Sequence, residues 1–259
     1  MYIFGVDISR HNGAINHHKC AASGAKFAAI RCTVGDYYID TSWRENYSGF
    51  TDAGIKTLAY LVVVPQNSLG LKVTAEAHVN LFLKAVEKRC LDFPPVLDCE
   101  LPKDVMSPDR AWITSLITEI CRLLLKETGE YPIIYTRKTW WDPCVYRADY
   151  WKHYPLWTAH YTNAPQPLLP SDWDTWQLWQ YSSRGPGFKF GTEEQFIDLN
   201  HMQLEFWQRY ISVIPSEVPR SLRCEVPRSL RCEVEGSNLI PIHLDIAEDA
   251  FEGYVEKIV

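Results

Sequence analysis

Short, nearly continuous apolar runs recur through the first two hundred residues: Tyr2–Ile8 (YIFGVDI), Lys26–Val34 (KFAAIRCTV), Thr57–Val64 (TLAYLVVV), Pro94–Glu100 (PPVLDCE), Pro132–Thr136 (PIIYT), Pro155–Tyr161 (PLWTAHY), Trp176–Ser182 (WQLWQYS) and Gln195–Asn200 (QFIDLN). Runs of this length and β-branched content read as strands buried on both faces. Longer segments with apolar positions at helical spacing lie between the early runs: Thr41–Ala53, Val73–Arg89 and Pro108–Glu127. The last of these follows Ser107, a candidate N-cap, with Pro108 in the first turn. Strand and helix in alternation imply right-handed βαβ units, and eight strands suggest a closed parallel barrel. After the fifth run the connections are rich in Pro and Trp and too short for full helices. The expected fold is therefore an irregular, TIM-like (β/α) barrel of eight strands with an incomplete helical coat.

The pattern changes beyond residue 205. Residues 217–224 and 225–232 both read EVPRSLRC. Two copies are too few for a solenoid. The reading is a barrel over 1–205, then a locally basic linker and a small appendage over 206–259, with NLIPIHLDI as a strand and AEDAFEGYVEKIV as a short helix.

Composition narrows the function classes. The net charge is −6 over 259 residues, so no basic excess points to nucleic acid. No apolar run is long enough to span a membrane. The opening MYIFGVDISRHNG lacks a basic stretch followed by an apolar one, so no signal peptide is expected. None of the eight cysteines forms a C-x-x-C pair or a zinc-spaced cluster, and buried free thiols are expected. No cofactor is implied, and oligomeric state is not legible.

The candidate chemistry is acidic. In a strand, residues i and i+2 face the same way, so Asp98 and Glu100 share one side at the C-terminal end of the fourth run. In a parallel barrel that end is the mouth where active sites form. Asp7 ends the first run and Asp198 ends the eighth, which is its neighbour in a closed barrel. Four carboxylates converging on one mouth repel one another, and the usual relief is that one stays protonated. A neutral acid beside an ionised carboxylate is the equipment of glycoside hydrolysis. Any one of these acids alone is more often a cap or an ion-pair partner, and the four together could instead bind a divalent cation. Aromatics near strand ends, Tyr60, Tyr135, Trp157, Tyr161, Trp179 and Tyr181, are suited to stacking on sugar faces, which favours a carbohydrate.

The segments GVDISRHNG, PPVLDCE, PIIYT, YPLWTAHYT, LWQYSSRG and FIDLN, in this order, resemble glycoside hydrolase family 25, the Chalaropsis-type lysozymes. FAAIRCTVGDYYID, WRENYSGFTDAGI and LAY add to the match, which covers roughly residues 1–200. Family 18 chitinases carry D-x-x-D-x-D-x-E, and Val96 stands where that pattern needs an acid. The resemblance implies an irregular β/α barrel and an N-acetylmuramidase, which cleaves the β-1,4 bond between N-acetylmuramic acid and N-acetylglucosamine in bacterial peptidoglycan. By motif it implies Glu100 as general acid, and Asp98 as stabiliser of the oxocarbenium charge or as the group that orients the substrate's acetamido nucleophile. Asp7 and Asp198 would line the same pocket. Tyr60 and Tyr135 would lie near the reacting sugar, with Trp157, Gln180 and Tyr181 binding substrate in the cleft. The chain departs from the family pattern at Asn12, at Arg31, Cys32 and Val34, and at Leu61 and Val62, where the family has His and an aromatic. These departures leave the acids untouched and bear on subsite shape. The expected setting is a phage endolysin released from the host cytoplasm through a holin, or a virion-associated lysin, acting on the cell wall, and otherwise a secreted enzyme whose leader has been removed. The competing expectation is a sugar-binding or assembly protein that keeps the barrel without turnover.

Overall fold

The computed structural model describes residues 1–66, 70–87, 89–100 and 109–211. Eight strands close a barrel: β1 (Tyr2–Ile8), β2 (Phe27–Val34), β4 (Lys56–Val62), β5 (Val96–Asp98), β6 (Ile133–Thr136), β7 (Leu156–Ala159), β8 (Leu178–Pro186) and β9 (Phe196–Gln203). The two-residue β3 (Tyr38–Ile39) is a hairpin extension on the edge of β2. All eight runs anticipated from the apolar pattern are strands.

One expectation is corrected. The barrel is not parallel throughout: β9 runs antiparallel to both β8 and β1. The link from β8 to β9 holds only the four-residue α6 (Gly187–Phe190) and five further residues. A parallel return needs a crossover of roughly a dozen residues or more, so this short link forces a hairpin. Asp198 is consequently the third residue of its strand rather than near its end, and the reversal still leaves it at the mouth.

The helices are α1 (His17–Ala22), α2 (Trp43–Asp52), α3 (Ala75–Val86), α4 (Arg110–Thr128), α5 (Lys138–Cys144), α6 and α7 (Leu204–Ile211). In α4, Ile113, Leu116, Ile117, Ile120 and Leu124 recur at three- and four-residue intervals and are all buried against the barrel. Each such side chain contributes on the order of 1.5–3 kcal/mol. Its N-cap is Asp109, whose Oδ1 accepts from the Ala111 N–H at 2.9 Å. The expected cap, Ser107, lies outside the described residues, as does Pro108.

Between β7 and β8 no helix forms. That side of the barrel is covered by indole rings: Trp141 packs edge-on against Trp151 (5.0 Å) and Trp173 (4.9 Å), and Trp176 against Trp179 (5.9 Å). Their N–H groups are anchored, Trp173 on the Tyr154 carbonyl and Trp179 on the His160 carbonyl, each at 2.8 Å. Most of these tryptophans thus form the coat itself.

The barrel interior is a separate cluster of Phe27, Leu58, Val96, Ile133, Trp157, Leu178 and Met202. Phe93 and, from α7, Phe206, Trp207 and Tyr210 plug its lower end. The barrel's own packing therefore runs to Ile211, past the boundary expected at 205. Both EVPRSLRC copies and the strand and helix read in the tail lie outside the described residues. Cys20, Cys32, Cys99, Cys121 and Cys144 are free thiols, the first four of them buried, whereas Cys90 is disulfide-bonded, against the expectation of free thiols. Among the described residues, no helix is long and apolar enough to cross a membrane.

Candidate active site

Side-chain alternation fixes which residues enter the barrel. On β1, Phe4, Val6 and Ile8 face the outer layer, which turns Asp7 inward. On β5, Leu97 and Cys99 face outward, leaving Asp98 and then Glu100 on the inner face. On β9, Asp198 sits directly across from Asp7 in the antiparallel register. The four acids predicted from widely separated runs thus meet at one mouth.

Asp7 is the hub. It is 8% exposed, and its Oδ2 accepts from Asn200 Nδ2 at 2.6 Å and Gln180 Nε2 at 3.0 Å. Asp198 lies directly across the strand pair, close enough for each carboxyl to act on the other's protonation. Burial is the largest influence on Asp7 and lifts its pKa even against the hydrogen bonds it accepts. Asp198 is pushed up to about 8, first by burial and then by the Asp7 charge. It is therefore the protonated member at neutral pH.

Asp98 is 9% exposed and lies beneath the mouth; burial raises its pKa well above the ordinary range, with Glu100 and Asp7 adding repulsion and Arg31 opposing. Glu100 is raised chiefly by burial as well, and the Arg137 cation pulls it back down. Glu100 lines an open cleft of about 250 Å³ together with Tyr135, Arg137, His160 and Tyr161, so it is the member that reaches a ligand. Asp98 Oδ1 is buried without a hydrogen-bond partner. Val62, its register partner, offers no donor. Arg31 stands where the family has Lys and keeps a cation near Asp98; its Nε is held by Asp40 at 2.7 Å.

The expected substrate-binding residues divide. Tyr135 lines the cleft, and its hydroxyl donates to Gln180 Oε1 at 3.0 Å. Tyr60 faces inward near Asp7 and Asp98, its hydroxyl 3.4 Å from the Ile8 carbonyl. Burial keeps both phenols protonated. Gln180 is 3% exposed with both ends engaged, donating to Asp7 and accepting from Tyr135 and, at 2.7 Å, Tyr161. It positions the site rather than touching a sugar. Trp157 is a correction: at 2% exposure it has no face free for stacking, and it lies in the interior cluster, donating to Asn200 Oδ1 at 2.9 Å. Tyr181 is a second correction. Its neighbour Gln180 points in, so Tyr181 points out, where it stacks on His201 at 4.2 Å against the outer layer.

Two participants, Asn200 and Arg137, were missed, and Tyr161, expected only as a stacking ring, also serves as a hydrogen-bond donor. Asn200 is wholly buried and bridges Trp157 to Asp7; its signal was the i+2 spacing from Asp198. Arg137 follows Tyr135 by the same spacing, and Tyr161 reaches Gln180 from the loop after β7. Among the described residues no group of three or more His, Cys, Asp or Glu side chains is placed to hold a metal ion.

The profile of the glycosyl hydrolases family 25 matches residues 6–187, from the first strand through the end of β8. The chain belongs to family 25. Lysozyme M1 of Streptomyces globisporus is 31% identical over 193 residues, which are 70% of this chain and 62% of the relative. The family 25 barrel therefore spans about three-fifths of the length of that relative. The N,O-diacetylmuramidase of a Chalaropsis species is 25% identical over 208 residues, covering 75% of this chain and 93% of that one. Among solved structures, the bacterial lysozyme from Streptomyces coelicolor superposes with a TM-score of 0.68 at 26% identity, covering 78% of this chain and 93% of its own.

Proposed function

We propose that this family 25 barrel is a peptidoglycan hydrolase, an N-acetylmuramidase acting on the β-1,4 bond between N-acetylmuramic acid and N-acetylglucosamine. The observation that carries the reading is the mouth itself: two buried carboxylates, Asp7 and Asp98, and two half-buried ones, Asp198 and Glu100, all with raised pKa, and Glu100 alone among them lining the open cleft. Glu100 protonates the leaving glycosidic oxygen as the bond to the anomeric carbon breaks. Asp98 lies below, where its unpartnered Oδ1 is an acceptor suited to the N–H of the 2-acetamido group. That contact turns the acetamido oxygen toward the anomeric carbon and steadies the positive charge developing there. Water then adds to the anomeric carbon and returns a proton to Glu100. Asp7, Asp198, Asn200 and Gln180 hold the floor of the site rigid. The relatives named lysozyme and N,O-diacetylmuramidase support the same chemistry.

The test is wall turbidity with reducing-end analysis, for the native chain and Glu100→Gln. New ends at N-acetylmuramic acid from the native chain are expected, with a loss on the order of 10²–10⁴-fold in the variant at unchanged wall binding and melting temperature. Retention on walls with no new ends would instead establish the binding-only protein. The setting we propose, an endolysin or a virion-associated lysin, concerns delivery rather than chemistry. Expression inside a susceptible bacterium should lyse it only when a membrane pore is co-expressed.

A further inference from the structure

Among the described residues, the cleft holds a cation, Arg137, that the chemistry above does not use. In the parallel register of β5 and β6, Asp98 lies opposite Tyr135. Carried two residues further, that register sets Arg137 beside Glu100, and both line the cleft. The backbone of Arg137 is still extended (φ −130°, ψ 147°), so its side chain follows that of Tyr135 to the inner face. Yet Arg137 forms no ion pair within 4.0 Å among the described residues. Its Nε is buried with no acceptor. The adjacent cation is already committed, since Lys138 Nζ holds Asp142 at 2.8 Å and Ser171 at 3.1 Å. A second donor lines the same cleft: His160 Nδ1 accepts from the Leu168 N–H at 3.1 Å, which leaves the ring hydrogen on Nε2.

A buried guanidinium N–H without a partner is unfavourable unless a ligand supplies one. Four carboxylates at the same mouth repel any anion that is not met by a cation. Among the described residues, Arg137 is therefore the favourable seat for a ligand carboxylate, which a guanidinium suits in charge and in planar geometry. We propose that Arg137 is a specificity-determining residue that receives a substrate carboxylate, so that glycans bearing an acidic substituent are preferred over neutral N-acetylhexosamine polymers. The inference rests on the muramidase reading and names its substrate class. Two sources share this chemistry: the lactyl carboxylate of muramic acid in strands stripped of peptide, and a carboxylate of an attached stem peptide. Either would also cancel the positive charge that holds the Glu100 pKa down, favouring the protonated form that the acid role requires.

The experiment compares native chain, Arg137→Gln and Arg137→Lys on three alternating N-acetylmuramic acid/N-acetylglucosamine oligosaccharides. One has a free lactyl carboxylate, one has that group as its methylamide, and one carries a stem tripeptide. Read at a pH below the fall of activity, where Glu100 is protonated in both proteins, Arg137→Gln should raise KM roughly tenfold to a hundredfold on a carboxylate-bearing glycan, with kcat within about threefold and KM for the methylamide within about threefold. Arg137→Lys should recover part of the loss. A change confined to the free lactyl glycan identifies that source; one confined to the peptide-bearing glycan identifies the stem. An equal rise on the methylamide, or no rise on any glycan, overturns the assignment. Native turnover of the methylamide reports the muramidase reading separately. Should it be absent, calorimetric binding of the same three glycans still reads the preference at Arg137.

Discussion

At the scale of single residues, the site works by placing protons. Asp198 shows the thermodynamic consequence. Its folded-state pKa of about 8 lies above the ordinary 3.8, so the folded chain binds this proton more tightly than the unfolded one. The resulting stability is complete below about pH 4 and is lost as pH rises through 8. Asp198→Asn removes that dependence while retaining an N–H to donate toward Asp7. The melting temperature of the variant, relative to native, should therefore climb between pH 4 and pH 8 and exceed it at the upper end. A difference that stays constant across that range would show that Asp198 is ionised in the fold. Activity should fall as pH rises through the elevated pKa of Glu100, because a general acid must hold its proton. In Arg137→Gln that fall should move to higher pH, since the cation that lowers the Glu100 pKa is gone.

At the scale of elements, alternation and close packing decide what reaches the mouth. The inward position two residues before Asp7 is Gly5, because the Phe27 ring fills the space beside it; a Cβ there would sit 2.5 Å from ring atoms. Gly5→Ala should destabilise the barrel by about 1–3 kcal/mol, measured by urea unfolding. Adding Phe27→Leu should cost less than the sum of the two single changes, since the two residues share one volume. Strict additivity would place the strain elsewhere. Alternation was legible in the sequence: the D-x-E parity of Asp98 and Glu100 holds, and the same rule applied from Gln180 excludes Tyr181, and applied from Asp198 finds Asn200. Enclosure was not legible. Trp157 faces inward as its strand demands, but the Tyr135 ring, 4.8 Å away, and Asn200 enclose it, and those neighbours come from strands far apart in the chain.

At the scale of the molecule, closure makes the site possible. Asp7 and Asp198 are 191 positions apart in the chain and face each other because β9 turns back between β8 and β1. The lower end is sealed by Phe93 and α7, with Phe93 and Phe206 stacked at 6.4 Å. Phe93→Ala should cost about 3–5 kcal/mol in unfolding free energy while the mouth keeps its geometry. Loss of turnover at temperatures where the variant remains folded would mean that plug and mouth are coupled.

The sequence by itself determined the eight strand runs, the helices of the first half, the shared face of Asp98 and Glu100, and the family to which these motifs belong. Each of these is written in local spacing, where the period of two or of 3.6 residues acts without reference to the rest of the chain. Only the tertiary structure decided the direction of β9, the enclosure of Trp157, the use of tryptophans as an outer coat, the plug formed by α7 and the placing of Arg137, without an ion-pair partner among the described residues, beside Glu100. Those features depend on which distant segments pack together and on how far burial shifts a proton, and both are properties of the closed barrel rather than of any one of its strands.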